Sequence, residues 1–438
     1  MHAVIVDGDV SYPPTSGKRL RTLHLMLRLA RRHRVTYIAR CDARLPDAQQ
    51  AREHLGDHGI ETILVDHPLP RKAGLAFGGR LASNLLLSNL PYSIASHDSE
   101  PMRQALAHYR AKNEVDVWQF EWLPYMNLLP SHSLGGEGLG VRGHACRVVI
   151  AHNVDTLLWK RYYDTAQGMF KRMFLKSQWR RMERFERLHF PRASWVVAVS
   201  PDDASILRND FGVSNVDVVD NGIDRDYFAS VNGNREANRI LFLGALDWRP
   251  NLDAVNLLLD RIFPQVRAQE PSARLCVVGR NPPPGLVERL QTTPGVELHA
   301  DVPDVRPFLG NCGVMTVPLR IGGGSRLKIL EALACCLPVI SSTVGAEGLS
   351  LEAGRDFARA DEPEAMASTL VDAIRSPAPF RAMAENGRRV VLERYDWDAL
   401  AIKLERVWEK SISALGGRPS PAVLDGPGRP SHVAALPH

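Results

Sequence analysis

Short, uninterrupted apolar runs alternate along this chain with longer stretches in which leucine and alanine recur every three or four positions. The first run, Ala3-Val4-Ile5-Val6-Asp7, leads through Gly, Pro and Ser residues into Arg19 to Arg32, where Leu20, Leu23, Leu27, Leu29 and Ala30 carry a helical spacing. That order predicts strand, loop, helix. The same rhythm returns at Val35 to Ala39, Glu61 to Val65, Val115 to Phe120, Val148 to Ala151 and Trp195 to Val199, with amphipathic stretches between most of them. Strands apolar on both faces and separated by helices predict a parallel, doubly wound sheet.

Near Asn221-Gly222-Ile223-Asp224 the rhythm pauses, and the polar stretch Val231 to Asn238 has no periodicity. A second series opens at Arg239-Ile240-Leu241-Phe242-Leu243-Gly244 and continues at Ala273 to Val278, Val296 to His299, Gly313 to Val317 and Pro338 to Ser341. The expected architecture is two Rossmann-like α/β domains, over 1–225 and 239–396, joined by a linker over 226–238. An amphipathic helix is expected over 397–415. The Gly-, Pro- and Ser-rich stretch 416–438 holds few large apolar residues and reads as a disordered tail.

Composition narrows the function classes. The chain has 438 residues, 45% of them hydrophobic and 24% charged, which fits an ordinary globular protein and excludes collagen, wholesale disorder and a coiled coil. No apolar run is long enough to cross a membrane, and the apolar run at the N-terminus is too short for a signal peptide, so a cytoplasmic protein is expected. The 6 cysteines lack a CxxC pair and read as small core hydrophobes, without a zinc site or disulfide framework. A net charge of +5 suits phosphate-bearing small molecules or an anionic membrane surface and is too weak to argue for nucleic acid.

In open parallel sheets ligands bind at the carboxyl ends of strands, where loops enter helices. The first such loop, Asp9 to Arg19, brings Gly17, Lys18 and Arg19 to a helix start, either as an anion contact or as a plain surface loop. It is neither a Walker A loop nor a GxGxxG fingerprint, which weakens nicotinamide and ATPase readings. The most informative stretch follows the run ending at Val317. Gly322, Gly323, Gly324 and Ser325 form a bare loop, and from Arg326 the spacing turns helical. Arg326 and Lys328 at that helix start suit a diphosphate. Glu331, one turn on, either accepts from vicinal ribose hydroxyls or forms a surface pair with Lys328. The next strand ends in a loop containing Gly345, expected to close the same pocket.

Several segments carry a family resemblance together. GSRLKILEALACCLPVISSTVGAEGL, DNGIDRDYF, ILFLGALDWRPNLDAV and VELHADVPDVRPFL, with SYPPTSGKRLRTLHL and AHNVDTLLWKRYY nearer the start, resemble the retaining nucleotide-sugar glycosyltransferases of the large family 4 type (glycosyl transferases group 1). The similarity spans most of residues 1–412 and is strongest to the exopolysaccharide and exosortase-associated branch. The resemblance implies the two-domain GT-B plan, with the donor held by the C-terminal domain, the acceptor by the N-terminal domain, and transfer across the cleft between them. It also implies no cofactor and no protein-bound metal, and the Asp202-Asp203 pair after Pro201 reads as ordinary first-turn acids.

The family's donor signature is two glutamates separated by seven residues. Glu331 matches the second, and Gly323 stands where the first would fall. Relatives place an arginine and a lysine in the loop after the strand equivalent to Ile240–Leu243, whereas here only Arg249 is basic. The diphosphate charge is therefore assigned to Arg326 and Lys328, with Gly279, Arg280 and Val302 on loops flanking the base. His152 matches the family's cleft histidine, although a lone histidine is more often structural. Asp155 either orients His152 or caps the following helix.

Between Lys160 and Arg192 ten cations face three acids, with Trp159, Phe170, Phe174, Trp179 and Phe185 among them. Such a segment either contacts an anionic inner-membrane surface or is a solvated helix whose arginine stems cover apolar surface. The expected activity is transfer of a sugar from a nucleoside diphosphate donor to a glycan or lipid-linked acceptor, in bacterial polysaccharide biosynthesis. The alternatives are an inactive nucleotide-sugar-binding scaffold, prompted by Gly323, and a sugar-nucleotide epimerase on the same plan.

Overall fold

The computed structural model describes residues 1–71, 73–129, 145–229, 231, 233–321 and 327–416. Among the described residues the chain divides into two units, 1–220 together with 400–416, and Asn221–Ala399. Each is built on one parallel sheet with helices between successive strands.

The first sheet comprises β1 (His2–Asp7), β2 (Arg34–Cys41), β3 (Glu61–Asp66), β4 (Val117–Phe120), β5 (Cys146–Ala151), β6 (Trp195–Ala198) and β7 (Val216–Val218), in the order β3-β2-β1-β4-β5-β6-β7. Every residue of β1 and β4 is buried, as strands covered by helices on both faces require. The winding direction reverses between β1 and β4, so the carboxyl ends of those two strands form the ligand-binding position of such a sheet. The helix after β1, Gly17–Leu29, starts there because Ser16 is extended and its hydroxyl accepts from the Arg19 N–H at 3.3 Å.

The second sheet comprises β8 (Glu236–Leu243), β9 (Arg274–Gly279), β10 (Val296–Ala300), β11 (Cys312–Val317), β12 (Val339–Ser341) and β13 (Ala358–Arg359), in the order β10-β9-β8-β11-β12-β13. Its reversal lies between β8 and β11. A continuous core of Ile240, Phe242, Val277, Met315, Ile329, Leu333 and their neighbours fills both faces.

The strand–helix alternation read from the sequence is present in both units. Two strands escaped that reading: β7 and β13 are three and two residues long, too short to show as apolar runs. The segment expected as a linker, 226–238, begins within the short helix Arg225–Ala229 and ends inside β8. The chain passes between units at Asp220–Asn221.

The last helix, Trp397–Ala414, carries the chain back to the first unit. Buried Trp408 donates from Nε1 to the Gln119 side-chain oxygen at 2.9 Å, and Glu405 takes His33 Nε2 at 2.6 Å. Of the tail expected over 416–438, only Gly416 is described; residues 417–438 lie outside the described residues. The basic segment folds as two paired helices, Asp155–Asp164 and Met169–His189. No helix among the described residues is long and apolar enough to cross a membrane.

Candidate active site

In the second unit the loop after β8 and the helix after β11 meet at the sheet's reversal. Lys328 lies in the first turn of Leu327–Ala334, and its ammonium donates to Asn251 Oδ1 at 3.0 Å while standing 5.1 Å from the centre of the Phe242 ring. Asn251 is itself held by its amide, which donates to Ala245 O at 2.9 Å. Gly244 is required beneath them, because a Cβ there would stand 2.6 Å from Asn251 Nδ2 and 2.7 Å from Lys328 Nζ. One turn further, Glu331 is half-buried, and burial raises its carboxyl to about 7 against the opposing pull of Lys328.

The neighbouring loops are tied to this centre through the backbone. Gly244 N donates to Val278 O at 3.0 Å and Leu246 N to Arg280 O at 2.8 Å. A Cβ on Gly279 would fall 2.1 Å from Gly244 O, so the two loops touch only because residue 279 lacks a side chain. Asn281 and Asp301, both with positive φ, are joined by the Asn281 N–H to Asp301 Oδ1 bond at 2.9 Å. Val302 packs against the core beside them. On the far side Gly345 N donates to Ser342 Oγ at 2.9 Å, and a Cβ at Gly345 would lie 2.6 Å from Val317 O, beside the carboxyl end of β11.

Of the donor residues read from sequence, Lys328 and Glu331 on the helix after β11, Gly279 at the end of β9, and Arg280, Val302 and Gly345 on loops therefore lie at the carboxyl edge of one sheet. Arg249 opens the helix Arg249–Leu257 after β8 and is half-buried. Gly322, Gly323, Gly324, Ser325 and Arg326 lie outside the described residues.

Gly17 and Lys18, expected on the donor, belong to the first unit. There the Lys18 ammonium is paired with the fully buried Asp7 carboxylate at the end of β1. Desolvation pushes the Asp7 carboxyl up, and Lys18 opposes it. Beside it, at the end of β4, stands a residue the sequence reading missed. Glu121 is buried and accepts from Thr22 Oγ1 at 2.7 Å and Gln119 Nε2 at 2.6 Å, and its Oε2 lies 3.0 Å from His152 Nε2. These partners outweigh burial and hold its carboxyl below the usual range, while burial lowers the His152 imidazole.

The carboxylate on His152 is thus Glu121, reached across adjacent strands. Asp155, the nearer candidate in sequence, instead accepts from Trp122 Nε1 at 2.6 Å. Its helix is capped by Glu186, which accepts the Asp155 and Thr156 N–H groups at 2.9 and 3.0 Å. Arg21 completes the group: it is 1% exposed, donates from Nη2 to Val219 O at 2.9 Å, and desolvation lowers it to about 10. A carboxylate at a strand's end, directly after the apolar run to Phe120, was the available signal for Glu121. Nothing in the sequence marks Arg21 as buried.

One group of potential metal ligands is present among the described residues, Cys276, Glu297 and His299, with ligand atoms within 4.8 Å of one another. Glu297 is already engaged by Arg239 at 2.5 Å and Arg274 at 3.5 Å, which opposes a cation there.

Residues 17–227 match the family model described as Glycosyltransferase Family 4, and residues 237–376 match that of Glycosyl transferases group 1. With both parts of the chain matched in this way, the chain is a glycosyltransferase. It is 22% identical, over 90% of its length and 96% of the relative's, to an uncharacterized 44.6 kDa protein in the cps region of Klebsiella pneumoniae. It is 27% identical to the MMP alpha-(1->4)-mannosyltransferase of Mycolicibacterium hassiacum, over 58% of this chain and 63% of that protein. Among solved structures, Anabaena Alr3699/HepE in complex with UDP and glucose superposes with a TM-score of 0.61 at 12% identity, covering 93% of this glycosyltransferase and 99% of that chain. The fold of this glycosyltransferase is thus GT-B, with two Rossmann-like domains.

Proposed function

We propose that this glycosyltransferase transfers a sugar from a nucleoside diphosphate donor to a glycan or lipid-linked acceptor, with retention of configuration and without a protein-bound metal, in bacterial polysaccharide biosynthesis. The observation that carries the reading is the pairing of Lys328 with Glu331 on one helix at the reversal of the second sheet. A cation in the first turn of that helix and a desolvated carboxylate one turn deeper match a diphosphate followed by a ribose.

Transfer breaks the bond from the sugar's anomeric carbon to the diphosphate and forms one to an acceptor oxygen, whose proton passes to the departing diphosphate. Negative charge grows on the departing diphosphate. Lys328, held by Asn251, supplies a fixed positive donor to meet it, and Arg326, two residues before it in sequence, is assigned the same task. Glu331 accepts from the ribose hydroxyls and gains from being ionised when it does so. His152, fixed through Nε2 by Glu121, serves the acceptor side of the reaction in the first unit. The presence of UDP in Alr3699/HepE and the cps-region origin of the Klebsiella relative support a nucleotide-sugar donor and a polysaccharide product.

A thermal-shift screen with nucleoside diphosphates and nucleotide sugars tests the donor, because a ligand that binds only the folded protein raises its melting temperature. Hits are then carried into a transfer assay with glycan and lipid-linked acceptors, scoring the anomeric configuration of the product. Absence of stabilisation by every nucleoside diphosphate, together with unchanged nucleotide affinity in Glu331→Gln, overturns the reading.

A further inference from the structure

The helix Gly74–Leu87 has the sequence GLAFGGRLASNLLL, yet Asn84 is its one buried residue. Leu75, Leu86 and Leu87 are 98%, 80% and 84% exposed. Its single charged side chain, Arg80, is turned to the Tyr92 hydroxyl at 3.2 Å. A helix this apolar in water loses the burial that normally stabilises helices, so its surface requires a cover.

The helix is fixed to the basic helix Met169–His189. Arg181 donates to the carbonyls of Asn84 and Leu85 at 3.0 and 2.8 Å, and Gln178 accepts the Tyr92 N–H at 2.7 Å. The basic helix adds its own unburied apolar side chains at its first turns, Met169, Phe170 and Met173, at 69%, 84% and 63% exposure. Exposed Lys171, Arg172, Lys176, Arg180 and Arg184 accompany them, with no carboxylate partner among the described residues. Clefts of about 610 and 390 Å³ open among these cations, both lined by Met173 and Lys176.

We propose that these two helices form a docking surface for an anionic lipid bilayer. The leucines and Phe170 enter the boundary between headgroups and acyl chains, and the five cations take lipid phosphates in and around the two clefts. Charge complementarity selects this occupant, since apolar side chains ringed by cations that have no carboxylate partner among the described residues, Arg172 resting on the Tyr163 ring at 4.8 Å, match an apolar layer faced with anions, and a protein partner would need an acidic rim around an apolar centre. The inference stands on the first unit alone and does not depend on the donor assignment.

The test is sedimentation of the full chain with phosphatidylglycerol vesicles and, separately, phosphatidylcholine vesicles, at low and high salt. Binding to phosphatidylglycerol at least ten times stronger than to phosphatidylcholine, and weakened by salt, is expected. At about 1 kcal/mol per cation near an anionic surface, Lys171→Gln/Arg172→Gln/Lys176→Gln together should weaken binding about a hundredfold. Leu86→Ser/Leu87→Ser/Phe170→Ser should weaken it at least tenfold, and both variants should keep the wild-type melting temperature, because the side chains changed are exposed. Equal binding to the two vesicles, absence of binding, or a wild-type dimer that the leucine variant converts to a monomer overturns the proposal.

Discussion

Glu331→Gln should make this enzyme more stable and worse at holding a nucleotide, with a pH signature for each effect. In the fold the carboxyl is raised from 4.5 to about 7 because burial penalises its charge. One pK of difference is worth about 1.4 kcal/mol, so the ionised side chain costs about 3 kcal/mol well above neutrality, reduced to about 2–3 kcal/mol by the water that reaches a half-buried group. The sign follows from proton counts. Between pH 4.5 and about 7 the native state keeps a proton that the unfolded chain has released, so stability falls as pH rises through that window and levels off above it. Glutamine has no proton to lose.

The variant should therefore melt only slightly above wild type at pH 5 and about 5–10 °C above it at pH 8.5, given about 2–4 °C per kcal/mol for a unit of this size. Binding moves the opposite way. If ribose hydroxyls donate to the ionised carboxylate, nucleoside diphosphate affinity of the wild type rises from pH 6 to pH 8, and the variant binds about 10–100-fold more weakly at pH 8 with a flat profile. Scanning calorimetry and titration calorimetry at matched pH read both effects. A variant less stable than wild type at pH 8.5 refutes the desolvation reasoning, and identical pH profiles of affinity refute the ribose contact.

Glu121→Gln removes the charge that holds His152, leaving a half-buried imidazole without its carboxylate; kcat should fall about 10–100-fold with donor KM unchanged, and the alkaline-active limb of the pH–rate profile should begin at lower pH, because Glu121 raises the His152 pKa. Gly279→Ala forces a Cβ to within 2.1 Å of the Gly244 carbonyl, and should destabilise the enzyme by about 1–3 kcal/mol in denaturant titration while weakening nucleotide binding. Trp408→Phe deletes the donor to Gln119, and about 1–3 kcal/mol of stability should be lost as that buried oxygen goes unpaired.

The doubly wound plan was legible because parallel strands covered on both faces must be apolar throughout, as Val4, Ile5 and Val6 in β1 and Cys276, Val277 and Val278 in β9 are. Where a strand is an edge of two or three residues, as at Val216–Val218 and Ala358–Arg359, it buries too little to leave that mark. The site followed a similar division. Lys328 and Glu331 were visible because they follow a glycine-rich loop at a helix start, Glu331 also through the family resemblance, and His152 because it stands directly past an apolar run. The partner of His152 was not legible because the sequence offers only the nearby Asp155, left open between that role and a helix cap, whereas the parallel pairing of β4 with β5, Phe120 against Val149, carries Glu121 to the imidazole. Contacts made between neighbouring strands are set by register, and register is not written locally.

The two edges of the second sheet carry their charged groups in different ways. At the amino edge Glu236, Arg239, Arg274 and Glu297 form a mixed-sign ladder across β8, β9 and β10, and Arg239 holds the Glu297 carboxyl below its ordinary value. Every charge there meets an opposite one, so the ladder serves the fold. At the carboxyl edge Glu331 is raised with Lys328 alone opposing its desolvation, and the first sheet repeats the pattern, with Asp7 raised and Arg21 pushed down to about 10. A sheet selected for stability alone would place apolar residues at all three positions. Titratable groups kept where burial opposes their charge, Asp7 at the end of β1 and Arg21 and Glu331 on the helices that follow β1 and β11, are the arrangement expected of groups whose compensating partners arrive with the substrates.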